Sequence, residues 1–297
     1  LVHGKPSQTP STEEFAMYAA YSAGLRSACL SNQVGAAICD ANGQLVSTGC
    51  NDVPKFGGGL YTQADGEDDH RCYLWDKKIC WNDHTKDELR DQITAIVSSE
   101  EIYRILEKAG FANEKQKNIS LETASEIADK IRNKTRLKGL LEFSRAVHAE
   151  MDAIVGVARV GGPSLIGSSL FTTTFPCHNC ARHIVAAGIT KVYYIDPYEK
   201  SLALDLHADA ISDESKEANA SKVQFLHFEG ISPKRYQQMF SPSAERKEGG
   251  KLVDWQRTRS PKASSQYLDS YIELELRVVE DLNSLGLTSE QLAKIAN

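Results

Sequence analysis

Between Ser144 and Phe228 the chain alternates helix-like and strand-like runs, and this alternation restricts the possible fold more than any other feature. Ser144–Val160 reads as a helix stopped by Gly161-Gly162-Pro163. Ser169–Phe175 is β-like, and Pro176–Ala187 is helical, with Pro at its start and Gly188 at its end. Lys191–Ile195 and Val223–Phe228 read as strands. Upstream, Ser11–Cys29 is helical: Thr12 can cap it, Glu13 and Glu14 suit its first turn, and Phe15, Tyr18, Ala19, Ser22 and Leu25 share a face. Val34–Cys39 and Gln44–Thr48 are short β-prone runs joined at Asn42-Gly43, a strong hairpin signal. Strands interleaved with helices predict an α/β protein, a three-layer α/β/α sandwich around a mixed five-stranded sheet.

Residues from about Leu60 to Leu141 differ in character. They pass from an acidic cluster through a Cys/His/Trp-rich patch to polar helices. They are read as a helical insertion, because the signals on either side belong together. Residues 1–240 are then one domain. Residues 241–297 form a C-terminal segment packed on it, with a Ser/Lys/Arg/Gly-rich loop over Ser241–Lys262 and a helix over Tyr267–Leu282.

Two short motifs carry the chemistry: His148-Ala149-Glu150 and Pro176-Cys177-His178-Asn179-Cys180, each at the start of a predicted helix. Three nitrogen and sulfur donors, His148, Cys177 and Cys180, suit tetrahedral zinc with a fourth position left open. Cys177 and Cys180 are three apart and share a helix face. Both sit in the first turn, where the helix dipole favours thiolate. Zinc lowers the pKa of a water to ~7 and makes hydroxide available near neutral pH. Glu150 is placed to shuttle the protons such a hydrolysis requires. Taken alone, Cys-x-x-Cys is equally open to structural zinc or a redox pair, and His-x-Glu on a helix carries little; the two in this order are specific.

The seven Cys of this 297-residue chain are an odd count, which reads as free thiols and metal ligands in a reducing, cytoplasmic setting. The apolar runs, such as Val185–Gly188, are too short to cross a bilayer, and no basic n-region precedes an apolar h-region. A net charge of −6 argues against a protein that grips a nucleic-acid backbone.

At these residues the chain resembles the cytidine and deoxycytidylate deaminase superfamily, in which H-x-E…P-C-x-x-C is the zinc signature. Three further stretches resemble the deoxycytidylate branch: Ser31-Asn32-Gln33-Val34-Gly35-Ala36-Ala37, Gly49-Cys50-Asn51-Asp52-Val53-Pro54, and Phe171–Gly188. The resemblance covers about residues 12–60 and 141–232. It implies a cytidine-deaminase-like fold, a zinc ion on His148, Cys177 and Cys180, Glu150 as the acid/base, a sugar contact from Asn51, and Asn32 near it. Asp152 stands where the branch has Asn.

The long insertion and Lys200-Ser201…Leu206-His207-Ala208-Asp209 are similar to the larger anti-phage deoxycytidine nucleotide deaminases. That similarity implies dCTP as well as dCMP as substrate, depletion of phage DNA precursors, and a homo-oligomer. Those relatives carry an upstream P-loop module. No G-x-x-x-x-G-K-S/T occurs here, and the sequence begins at Leu1, so it is expected to be a fragment of something longer. The rival readings are a polynucleotide deaminase acting on tRNA or single-stranded DNA, and a catalytically silent zinc interaction module. The acidic balance and Asn51-x-x-Pro54 speak against the first, and Glu150 against the second.

His70, Cys72, Cys80 and His84 can close a second, structural zinc site; equally, the two Cys read as buried small hydrophobes and the two His as surface residues. For phosphate, the candidates are Arg26, Lys55, Lys200, Lys234, Arg235, Arg246 and Lys247. Lys200 is the best placed, in the stretch after the fourth strand, where α/β sheets face their ligand crevice. Tyr198 or Phe175 can stack on the base.

Overall fold

The hairpin at Asn42-Gly43 starts the sheet. In the computed structural model Gly43 takes a positive φ of 79°, which a glycine adopts without strain, and joins β1 (Gly35–Cys39) to β2 (Leu45–Cys50) in antiparallel register. The structure describes residues 8–111, 119–213, 221–242, 246–252 and Val278. They divide into two compact units, Pro10–Tyr236 and a second made of Leu1–Thr9 with Gln237–Asn297.

Among the described residues of the first unit, six strands form one mixed sheet in the order β2-β1-β3-β4-β6-β5. β3 (Ser169–Thr174) pairs antiparallel with β1, whereas β4 (Lys191–Asp196), β6 (Val223–His227) and β5 (Ile211–Asp213) run parallel to β3. Five strands are expected from the sequence. The sixth, β5, is three residues at the sheet edge, too short for an alternating pattern to register.

β1 is buried on both faces. Ala36 and Ile38 pack with the helix α5 (Ala149–Arg159) and α6 (His178–Ala186), while Ala37 and Cys39 pack with α1 (Thr12–Gly24). Those are the three layers. The cap of α1 is Ser11 rather than Thr12: the Ser11 hydroxyl accepts from the Glu14 amide at 3.1 Å, and Glu14 Oε2 accepts from the Ser11 amide at 2.8 Å. The buried face of α1 is Ala16, Met17, Ala20, Ala23 and Gly24, not the expected Phe15–Leu25 face; Phe15 and Leu25 are 44% and 58% exposed. Close approach explains the difference, since a Cβ on Gly35 would stand 1.9 Å from the Ala20 carbonyl oxygen, so only small side chains fit this interface.

The insertion carries α2 (Trp81–Val97), α3 (Glu100–Lys108) and α4 (Leu121–Lys134). α2 and α4 are tied by Arg90 to Asp129 at 2.9 Å and Arg132 to Asp87 at 2.6 Å. A short helix, α7 (Ala203–Leu206), follows β4. In the second unit, where a loop is expected, Gly249 and Gly250 turn a small hairpin between β7 (Lys247–Glu248) and β8 (Lys251–Leu252). The helix expected over Tyr267–Leu282 lies outside the described residues, apart from Val278. No described helix is long and apolar enough to cross a membrane.

Candidate metal centre and active-site cleft

Two helix starts meet beneath the sheet's carboxyl edge. His148 is the N-cap residue of α5 and Cys177 that of α6, which leaves Cys180 at the end of the first turn. His148 is held by the segment before it: the Val147 amide donates to the Asp52 carbonyl at 3.0 Å, which docks this segment on the loop after β2. Cys177 is held from the other side. The Phe175 amide donates to the Asp196 carbonyl at 2.8 Å, and the Ser201 hydroxyl donates to the Pro176 carbonyl at 2.8 Å.

His148 Nδ1 lies 3.3 Å from the Sγ of Cys177 and 3.3 Å from the Sγ of Cys180. The three donor atoms fall within 4.8 Å of one another, the only His/Cys/Asp/Glu group among the described residues that closes in this way. One imidazole nitrogen and two buried sulfurs fit zinc in type, number and spacing. A hydrogen bond from Cys180 pulls the Cys177 thiol well below the usual thiol range, and the same bond holds Cys180 high. The bond to Cys177 raises His148.

Glu150 is 4% exposed, and its Oε2 accepts from the Cys180 thiol at 3.3 Å. Burial pushes its carboxyl above the usual carboxylate range. It therefore holds a proton more readily than a surface glutamate, beside the donor set.

Of these groups His148, Glu150 and Cys177 line a cleft of about 170 Å³. Asn32, Asn51, Phe175 and Tyr198, all singled out in the sequence, line it together with His148 and Glu150. Both ends of the Asn51 amide are engaged: Oδ1 accepts from the Val34 amide at 2.7 Å, and Nδ2 donates to the Asn32 carbonyl at 2.6 Å. Asn51 thus shapes the loop around Asn32 as well as facing the cleft.

Several sequence expectations do not converge here. Lys200 is exposed in the turn after Tyr198, and neither it nor Arg26, Lys55, Lys234 or Arg235 lines the cleft. The neighbouring Ser201 hooks the chain back onto Pro176, leaving Lys200 turned to solvent. Lys55 is paired with Asp65 at 2.6 Å, and Arg246 and Lys247 belong to the second unit. His70, Cys72, Cys80 and His84 do not come together as a ligand set. His70 faces the Tyr61 hydroxyl at 3.3 Å, and His84 faces Glu88 one turn along α2 at 3.2 Å. Cys72 lies instead near Cys29 and Cys80; burial first, and then these two thiols, raise its pKa.

Asn82, Cys29 and Ser144 line the cleft without having been singled out in the sequence. Asn82 lies inside the insertion, at the start of α2, and Ser144 just after it, and no local pattern marks either.

A three-layer α/β sandwich with a nitrogen-and-sulfur metal pocket at two helix starts, and a buried glutamate against it, defines a class of zinc-site hydrolase folds. The family model of the cytidine and deoxycytidylate deaminase zinc-binding region matches residues 10–196, and the chain belongs to this family. ComE operon protein 2 of Bacillus subtilis (strain 168) is 39% identical over 56 residues, 19% of this chain and 29% of its own length. The deoxycytidylate deaminase of Enterobacteria phage T4 is 40% identical over 55 residues, 18% of this chain and 28% of its own. The chain therefore spans less than a third of the length of these relatives. The dCMP deaminase of cyanophage S-TIM5, solved in complex with dCMP and dUMP, is 20% identical; the match covers 74% of this chain and 98% of that one, with a TM-score of 0.38.

Proposed function

We propose that this chain hydrolyses the exocyclic amine of deoxycytidine nucleotides, dCMP and dCTP, to give deoxyuridine nucleotides and ammonia. The observation that carries the reading is the buried Glu150 carboxyl, 3.3 Å from Cys180 Sγ, inside the cleft with His148 and Cys177. His148, Cys177 and Cys180 would hold zinc, which supplies hydroxide at neutral pH. Glu150 takes the proton released from water and delivers it to the ring nitrogen next to the amine-bearing carbon. It then takes the proton of the hydroxyl now on that carbon and passes it to the departing nitrogen, which leaves as ammonia while the carbon keeps the oxygen as a carbonyl. Burial supports this role, because a carboxyl raised above the usual carboxylate range holds a transferred proton more readily.

Phe175 and Tyr198 offer aromatic faces to the base, and Asn32 and Asn51 offer polar groups to the sugar. Depletion of phage DNA precursors by a cytoplasmic homo-oligomer is the biological setting that the resemblance to anti-phage deaminases supports.

Ammonia release across the nucleoside, mono- and triphosphate forms of cytosine and deoxycytosine tests the reading. The deoxynucleotides should be the fastest substrates, and Glu150→Ala should abolish their turnover. Zinc-loaded protein that releases ammonia from none of them defeats it.

A further inference from the structure

The cleft wall contributed by the insertion contains an acceptor that the protein leaves unused. Asn82, the second residue of α2, is 8% exposed and lines the cleft. Its Nδ2 donates to the Leu140 carbonyl at 3.1 Å. That carbonyl can only accept, so the orientation of the amide is set by its partner and the other end must be oxygen. This Oδ1 is buried, and among the described residues it has no hydrogen-bond partner. Buried amide oxygens are nearly always paired, so an orphan on a cleft wall points to a partner that arrives with the ligand.

We propose that Asn82 Oδ1 accepts a hydrogen bond from the sugar 3′-hydroxyl of the nucleotide, which makes Asn82 a specificity-determining residue of the cleft. The inference rests on the reading of the site as a deoxycytidine nucleotide deaminase. The substrate's own chemistry selects the group. An amide oxygen repels a phosphate. The base oxygen and ring nitrogen are acceptors and cannot donate to it. Two donors remain, the exocyclic amine and the 3′-hydroxyl. The amine is the leaving group and belongs beside Glu150, on α5. Asn82 comes from the insertion, whose last residue, Leu141, also lines the cleft, with Ser144 just beyond it. Asn51 Oδ1 and Nδ2 each already hold one backbone group, so Asn82 adds an acceptor to the sugar subsite beside Asn51 rather than replacing it.

The test compares dCMP with 2′,3′-dideoxycytidine monophosphate on the wild type, Asn82→Ala and Asn82→Ser. Wild type should prefer dCMP in kcat/KM by about tenfold, the size of one hydrogen bond to a buried acceptor. Asn82→Ala should lower kcat/KM for dCMP by a similar factor and leave the dideoxy analogue nearly unchanged, so the preference collapses toward one. Asn82→Ser, a smaller change, should fall between. A variant that slows both substrates equally, or a wild type with no preference between them, overturns the proposal. Affinities of the same proteins for dUMP and 2′,3′-dideoxyuridine monophosphate separate this proposal from the deamination reading. The same pattern in binding without ammonia release removes only the deamination reading. Equal affinities for the two ligands remove the Asn82 proposal, and failure to bind any of these nucleotides removes both.

Discussion

The backbone amide of Cys50 donates to Asp152 Oδ2 at 3.1 Å, tying the end of β2 to the second turn position after Glu150. Cys50 is the residue before Asn51, so one carboxylate couples the loop that lines the cleft to the helix that carries the acid/base candidate. An asparagine, which stands here in the deoxycytidylate branch, can accept the same bond through its Oδ1. Asp152→Asn should therefore fold and turn over as wild type does. Asp152→Ala should leave the Cys50 amide unpaired and cost about 1–3 kcal/mol in chemical denaturation.

Asp152 also yields a pH dependence. Burial raises its carboxyl in the folded state above its unfolded value of ~3.9. The folded state then binds the proton more tightly, so wild type loses stability relative to Asp152→Asn as pH rises from the unfolded value through the folded one. Denaturation midpoints should match below pH ~3.9 and favour the Asn variant at neutral pH. A gap that is constant across this range would contradict the assignment.

Glu150→Gln keeps the size of the side chain and removes its proton traffic. Turnover of dCMP should fall by roughly 10²–10⁴-fold, while zinc content by native mass spectrometry stays that of wild type. Activity within a few-fold of wild type would move the acid/base role elsewhere.

Replacing a sulfur donor should have the opposite signature. Cys177→Ser and Cys180→Ser should lose zinc and activity together, and a chelator should do the same to the wild type, with both recovered on adding zinc back. Cys180 is 1% exposed and Cys177 5%, so the apo protein should also melt at a lower temperature.

Gly49 bears on the site through packing alone. A Cβ there would stand 2.3 Å from the Ala149 carbonyl oxygen and 2.5 Å from the Ala153 amide, both backbone atoms of α5. Gly49→Ala should push α5 from the sheet, costing about 1–3 kcal/mol and lowering kcat because Glu150 moves with the helix. Gly139→Ala is the control: no atom lies within 4 Å of its Cβ, and stability should change by less than about 0.5 kcal/mol.

What the sequence determines about this protein is what short-range physics controls. The turn at Asn42-Gly43 needs a residue that accepts positive φ, so it is readable from two letters. The helix start at Cys177 follows from Pro176 before it, whereas the helix read from Ser144 begins only at Ala149, after the segment docked on Asp52; the type of metal the donors suit follows from their chemistry. Other features depend on how close two elements come. The buried face of α1 is set by the contact of Gly35 with Ala20, which excludes the bulkier stripe that helical spacing favours. The convergence of His148 with Cys177 across 29 residues needs the β3 strand between them and the Asp52 anchor before them. The divergence of His70, Cys72, Cys80 and His84, which are neighbours in sequence, shows the same dependence in reverse, because Tyr61 and Glu88 claim the two imidazoles. Asn82 reaches the cleft only because the insertion folds back over it. Backbone conformation is encoded within a few residues, whereas proximity between distant segments is decided by which surfaces pack against each other.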